Sequence, residues 1–313
     1  MAITVSCPIR AFIQDQPLDP AVMIQPAVSP TPVHATVSIV GAGPGAPDLL
    51  TRRAENRIKQ ADVLVWTDSL VSPQIAALAA DGCESVRTST LTLEEVLPLM
   101  IDRAQKGLKV VRLHDGDPCL YGALSEQVCG LADAGIVVDV VPGISAYQAT
   151  ASALNAELTI PGVVQTIVLS RAGGRTGVPD AENLANLARL QASLCLYLSA
   201  RHVDEVQTTL LEHYPDDTPV AIGYRVSWPD QWLQLVPLKH MARVSQDRKL
   251  IRTTLYLVSP ALAHQGSSSP AAQRGLLVLA RTATPGKPQW RDAPTTSPPA
   301  GPGPGSRPNR QWR

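Results

Sequence analysis

Three glycine-proline motifs constrain this chain more than any other feature. Each ends an apolar, β-branched run, and each is followed by a helix-like stretch. In order they read Val37-Ser-Ile-Val-Gly-Ala-Gly-Pro-Gly-Ala-Pro-Asp48, Leu113-His-Asp-Gly-Asp-Pro-Cys-Leu-Tyr-Gly122 and Val140-Val-Pro-Gly-Ile-Ser-Ala146. An apolar run that stops at Gly or Pro and reopens as a helix is the pattern of strand–loop–helix connections in an α/β protein. Ligands of such folds lie beyond the carboxyl ends of the strands. Glycines there let backbone groups reach a small polar ligand with no side chain in between.

The first loop also fits the dinucleotide pattern G-x-G-x-x-G/A, as Gly41-Ala-Gly-Pro-Gly-Ala46. That pattern works only if a helix starts inside it and its N–H groups hold a pyrophosphate. Pro44 and Pro47 each remove a donor and turn the residue before them away from helical dihedrals. The helix is therefore expected to start near Asp48 or Thr51, both capping residue types, with Leu50, Ala54, Ile58 and Ala61 on one face. A nicotinamide site is not expected. A tight turn without a ligand is the plain alternative for this loop taken alone.

In this order the three loops resemble those of the S-adenosylmethionine-dependent tetrapyrrole (corrin and sirohaem) methyltransferases. That family is marked by a G-x-G-P-G-D-P loop, a G-D-P-x-x-x-G loop and a P-G-x-[ST]-[AS] turn. This chain has Ala46 where the family often has Asp, and Asp115 where it often has Gly; neither change removes a backbone group. Thr159-Ile-Pro161 is similar to the family's inter-domain segment. Leu169-Ser-Arg-Ala-Gly-Gly-Arg-Thr-Gly-Val-Pro179, Leu196-Tyr-Leu-Ser199 and Tyr224-Arg-Val-Ser-Trp-Pro229 resemble one branch, the precorrin-4 C11-methyltransferases. The resemblance runs from about Thr36 to Leu262.

That resemblance implies an α/β protein of two α/β domains with a cleft between them, a class III methyltransferase and not a Rossmann fold. It implies S-adenosylmethionine as co-substrate, a tetrapyrrole substrate, C11 methylation of precorrin-4 or its cobalt form, and a homodimer. Carried over residue by residue, the cofactor contacts are Pro44, the Asp115-Gly116-Asp117 turn, Leu120, Ser145, Ala146, Leu198 and Val226. Asp115 and Asp117 are able to accept hydrogen bonds from the cofactor's ammonium or ribose hydroxyls. Asp117, ahead of Pro118, reads equally as a turn former.

Composition narrows the alternatives. A chain of 313 residues buries a substantial core and is expected to hold two domains. The expected divisions are an extension over 1–35, α/β domains over 36–155 and 156–264, and a Pro/Gly/Ser-rich basic tail over 265–313, expected to be disordered apart from an apolar island at 275–280. No apolar run reaches the ~18 residues of a membrane span, and Met1–Ala35 lacks the build of a secretory signal. A cytoplasmic protein is expected. The five cysteines form no C-x-x-C pair, so neither a zinc site nor a disulfide framework is indicated. The net charge of zero divides into about +6 on the tail and −6 on residues 1–264. A net-negative body argues against a nucleic-acid partner.

Strands are expected at 36–41, 61–67, 109–113, 136–141, 165–170, 193–199, 219–226, 231–236 and 253–258. Helices are expected near 51–60, 72–80, 93–106, 120–134, 145–154, 181–190, 203–213 and 238–245. Thr92-Leu-Glu-Glu95 reads as a capping box, Pro98 as a kink, and Gly107 and Gly135 as helix stops. The hairpin around Trp228-Pro-Asp230 points to a mixed second sheet.

Methyl transfer from a sulfonium needs alignment and exclusion of water, and no metal. A polycarboxylate substrate needs cations. Arg171 and Arg175 after one strand and Arg201 after the next are the candidates, with Asp68 as a further lining residue. Arg225 is similarly placed, with a position at the core boundary as its other reading. Each arginine reads as well as a surface ion-pair former. His114, whose ordinary pKa suits proton transfer, and Asp115 next to it are the catalytic candidates; a buried neutral histidine is the competing reading for His114.

Overall fold

The strands of the first half are continuous apolar runs because both their faces are covered. In the computed structural model, which describes residues 36–173 and 177–264, β1 (Val37–Gly41) is buried along its whole length. Val37 and Ile39 face Val96 and Met100 of α3 (Leu93–Gln105). Val40 faces Ala54 and Ile58 of α1 (Arg52–Lys59) on the other side. This two-sided burial is what a parallel sheet requires. Its five strands lie in the order β3-β2-β4-β1-β5, all parallel, with β2 at Val63–Trp66, β3 at Glu84–Arg87, β4 at Val110–His114 and β5 at Val138–Val141.

The sequence signals act at the element ends. Thr51 caps α1, its side chain accepting from the Ala54 N–H at 3.2 Å. A single 3-10 turn, Pro47–Leu49, separates β1 from that helix, so no helix begins inside the first loop and the dinucleotide geometry is absent. The Thr92–Glu95 capping box forms, and α3 continues through Pro98. Gly107 and Gly135 follow α3 and α4 (Leu124–Asp133) with positive φ of 79° and 73°. Two expectations differ from the structure. The helix read at 72–80 is only α2, Pro73–Ala76, and β3 was not foreseen.

The second sheet is mixed, as the hairpin pattern requires. Its order is β6-β7-β10-β8-β9, with β6 (Ile167–Arg171) parallel to β7 (Ser193–Tyr197) and the other pairs antiparallel. β8 is Pro219–Tyr224, β9 Trp232–Pro237 and β10 Thr254–Val258. Helices α6 (Leu184–Ala188), α7 (Val203–Leu211) and α8 (Met241–Asp247) follow in the same half. α5 (Ala146–Ala153) comes from the first half but packs under this sheet, with Ala151 and neighbouring Leu154 against Cys195, Ala221, Leu255 and Leu257. That helix places the third motif loop beside the second sheet. The expectations for 1–35, for 265–313 with the 275–280 island, and for Arg175 lie outside the described residues.

Candidate active site

The three motif loops meet because their strands are neighbours. β4, β1 and β5 are adjacent and parallel, so their carboxyl ends deliver all three loops to one edge. The loops are pinned backbone to backbone. The Gly43 N–H donates to the Gly116 carbonyl at 3.1 Å and the Gly116 N–H to the Gly43 carbonyl at 2.9 Å. Asp117 ties the second loop to the third: Oδ2 accepts from the Gly143 N–H at 2.9 Å, while Oδ1 accepts from the Cys119 N–H at 2.8 Å.

Glycine is required here by close approach. A Cβ on Gly143 would stand 2.1 Å from the Gly116 carbonyl oxygen, and one on Gly41 2.6 Å from the Gly143 nitrogen. From sequence, these glycines are expected to open the loops to a ligand. The structure shows that several of their backbone groups are engaged in joining the loops to one another.

Loops from the second half close over this edge. The Trp228 Nε1–H donates to the Pro44 carbonyl at 2.9 Å, and the Ala46 N–H donates to Ser227 Oγ at 3.0 Å. The indole occupies the space a side chain at position 45 would need: a Cβ on Gly45 would lie 2.2 Å from it. Tyr197, ending β7, hydrogen-bonds Ser145 Oγ at 2.7 Å and accepts the Tyr147 N–H at 3.3 Å. Its ring lies 5.5 Å from that of Tyr121.

Between these loops is a cavity of about 360 Å³. Pro44, Asp115, Gly116, Asp117, Leu120, Ser145, Ala146, Leu198 and Val226 all line it, and so does His114. Sequence reasoning missed Thr67, Tyr121, Thr150 and the Thr253–Leu255 segment, and it did not assign Trp228. The Trp228 loop carried a signal, as the hairpin turn of a motif already noted. Thr150 carried none, being an ordinary helical position.

Two of the expected cations, Arg171 and Arg201, are not brought to this cavity. Arg171 donates to the Gly177 carbonyl at 3.2 Å, Arg201 is exposed on the 3-10 turn Ala200–His202, and neither lines the walls. Asp68 also stays off them. It accepts from the Ser89 N–H at 3.3 Å, and its bonding to Ser89 holds its pKa below the usual carboxylate range.

Burial sets the electrostatics of the second loop. It pushes His114 down to about 4, with the Arg112 guanidinium adding to the effect and the Gln127 side chain opposing it. His114 is therefore neutral near pH 7, the reading that competed with proton transfer. Asp115 is reached by solvent at the cleft. The protein packed around it still raises its pKa, against its own backbone N–H and Arg112. Arg112, lowered by burial to about 10, donates to Thr88 Oγ1 at 3.0 Å.

Two further marks single out the cavity. Thr150 Oγ1 and Arg225 Nε are buried without a hydrogen-bond partner, and both residues line it. Lining residues Tyr121, Ala123, Leu198, Arg225 and Thr253 have φ between 46° and 57°, in the left-handed region costly for side-chain-bearing residues. Among the described residues no helix is long and apolar enough to cross a membrane, and no group of three or more His, Cys, Asp or Glu is placed to hold a metal ion.

The family model of the tetrapyrrole (corrin/porphyrin) methylases matches residues 36–242. The chain belongs to this family. Among its methylase relatives, the precorrin-4 C(11)-methyltransferase of Pseudomonas aeruginosa is 40% identical over 239 residues, 76% of this chain and 95% of the relative. The cobalt-precorrin-4 C(11)-methyltransferase of Priestia megaterium is 39% identical over 72% of this chain and 87% of its own length. The X-ray structure of a cobalt precorrin-4 methyltransferase of cobalamin biosynthesis superposes with a TM-score of 0.70 at 38% identity, covering 72% of this chain and 95% of that one. A uroporphyrin-III C-methyltransferase from Thermus thermophilus, solved with S-adenosylhomocysteine, superposes at 0.61 with 27% identity over 73% of this chain and 99% of its own.

Proposed function

We propose that this methylase transfers a methyl group from S-adenosylmethionine to C11 of precorrin-4, or of its cobalt form, in cobalamin biosynthesis. The observation that carries the reading is the single cavity on which all three glycine-proline loops and the closing loops of the second half converge. The names of the relatives 39–40% identical supply the ring position.

The walls suit the cofactor. The volume falls within the ~300–1,000 Å³ of small-molecule sites, and Thr150 Oγ1 and Arg225 Nε await polar partners. Bound there, S-adenosylmethionine supplies a methyl group on a sulfonium, already a good leaving group. The chain's own work is alignment and exclusion of water. Pro44, Gly116, Leu120, Ala146, Leu198 and Val226 shape the walls, and Trp228 holds the first loop closed by its bond to Pro44. Asp117 is taken up by the loops and Ser145 by Tyr197. Asp115 is then the acid left to meet the cofactor's ammonium or ribose hydroxyls. His114, neutral and bonded to Gln127, serves as wall and hydrogen-bond partner. The homodimer, which rests on the resemblance, and the cytoplasmic location belong to this proposal.

The test is a methyl-transfer assay by mass spectrometry, with S-adenosylmethionine and precorrin-4 generated in a coupled mixture and the cobalt form in parallel. One added methyl mapped to C11 is expected. No transfer while the cofactor still binds would reject the ring position and keep the family.

A further inference from the structure

A second cavity, of about 540 Å³, abuts the first and shares Arg225 and Thr253 with it. Its charge is lopsided. Arg225, Arg248, Lys249 and Arg252 line it against one carboxylate, Asp230, which is already paired with Arg225 Nη1 at 2.7 Å. Among the described residues no acid lies within ion-pair distance of Arg248, Lys249 or Arg252. The cations come together because β8 and β10 pair at Tyr224 and Thr254. The Arg225 N–H donates to the Thr253 carbonyl at 3.1 Å, which sets the 248–253 turn beside the β8–β9 turn.

The two outer guanidiniums are held by rings. Arg248 stands 4.7 Å over Trp232, and Arg225 lies 4.6 Å over Trp228 and 5.7 Å over Tyr224. Stacking fixes the planes; Arg225 is taken up by Asp230, and the forked donors of Arg248 are left for a planar anion. Lys249 and Thr253 both have φ of 54°, so the turn is held in a costly shape that keeps like charges together.

We propose that this second cavity is the subsite for the substrate's peripheral carboxylates. Arg248, Lys249 and Arg252 receive the acidic side chains of a ring that reaches the first cavity past Arg225. The assignment rests on the methyltransferase reading above and places the substrate's acid-binding surface on the 248–252 turn, away from Arg171 and Arg201.

The test uses the full chain carrying Arg248→Gln with Arg252→Gln, and separately Lys249→Asn, which tolerates the left-handed backbone. Calorimetry with S-adenosylhomocysteine and KM for precorrin-4 are measured together, with Arg243→Gln as control; Arg243 lies on α8 beside Asp247, outside the cavity lining. The expected result is unchanged S-adenosylhomocysteine affinity, KM raised about tenfold in the double variant and about threefold in Lys249→Asn, and no change in the control. Added salt should raise the wild-type KM more than that of the double variant. Wild-type KM in both variants, with cofactor binding intact, would overturn the subsite alone. Loss of cofactor affinity in both would overturn its separation from the first cavity. A wild-type protein that binds the cofactor but leaves precorrin-4 unmethylated would defeat the underlying reading.

Discussion

His114 shows how one residue's surroundings decide between two roles that its sequence position left open. It ends β4 beside the cofactor loop, where a proton-transfer group would stand, yet burial and Arg112 depress its pKa to about 4. An unfolded histidine, with a pKa near 6.5, takes up a proton between pH 6.5 and 4 that folded His114 refuses. Its contribution to stability is therefore complete above about pH 6.5 and falls away as the pH drops toward 4, by ~1–3 kcal/mol. Urea midpoints measured from pH 7 to 4.5 should fall less steeply in His114→Asn than in wild type. Equal slopes would show that the histidine is not buried neutral. Arg225 is the other residue whose sequence position left two readings open, a strand-end cation or a core-boundary residue; it stacks on Trp228, pairs with Asp230 and borders both cavities.

At the scale of elements, the three loops behave as one packed unit. Gly143→Ala would drive a methyl into the Gly116 carbonyl, 2.1 Å from the new carbon. Neither backbone is able to yield without parting the loops, so a cost of about 1–3 kcal/mol is expected. Urea unfolding should show that loss, and calorimetry should show S-adenosylhomocysteine affinity down at least tenfold; wild-type values of both would mean that the loops are not mutually packed. These loops were legible in sequence because Gly and Pro write their constraints locally. So were the caps at Thr51 and Thr92. β3 was not, because Glu84–Arg87 is an edge strand with mostly exposed side chains and no apolar period. The cationic cavity was also illegible. Arg225 and Arg248 are distant in sequence and become neighbours only through the antiparallel pairing of β8 with β10.

At the scale of the whole molecule, the turns of the second half close over the loops of the first sheet. Trp228 bonds Pro44 and fills the space beside Gly45, Ser227 accepts from Ala46, and Tyr197 reaches Ser145. α5, packed under the second sheet, carries the third loop to the same place. The sequence supplied the family and ten cavity-lining positions, His114 among them, but not the bonds that join the halves, because those link residues as far apart as Pro44 and Trp228. The most direct measurement is a crystal structure with S-adenosylhomocysteine. The account predicts the ligand inside the first cavity, in contact with both Pro44–Gly116 and Leu198–Val226, with Thr150 Oγ1 or Arg225 Nε newly hydrogen-bonded. A ligand stretched along the first loop alone, touching nothing from the second half, would contradict it.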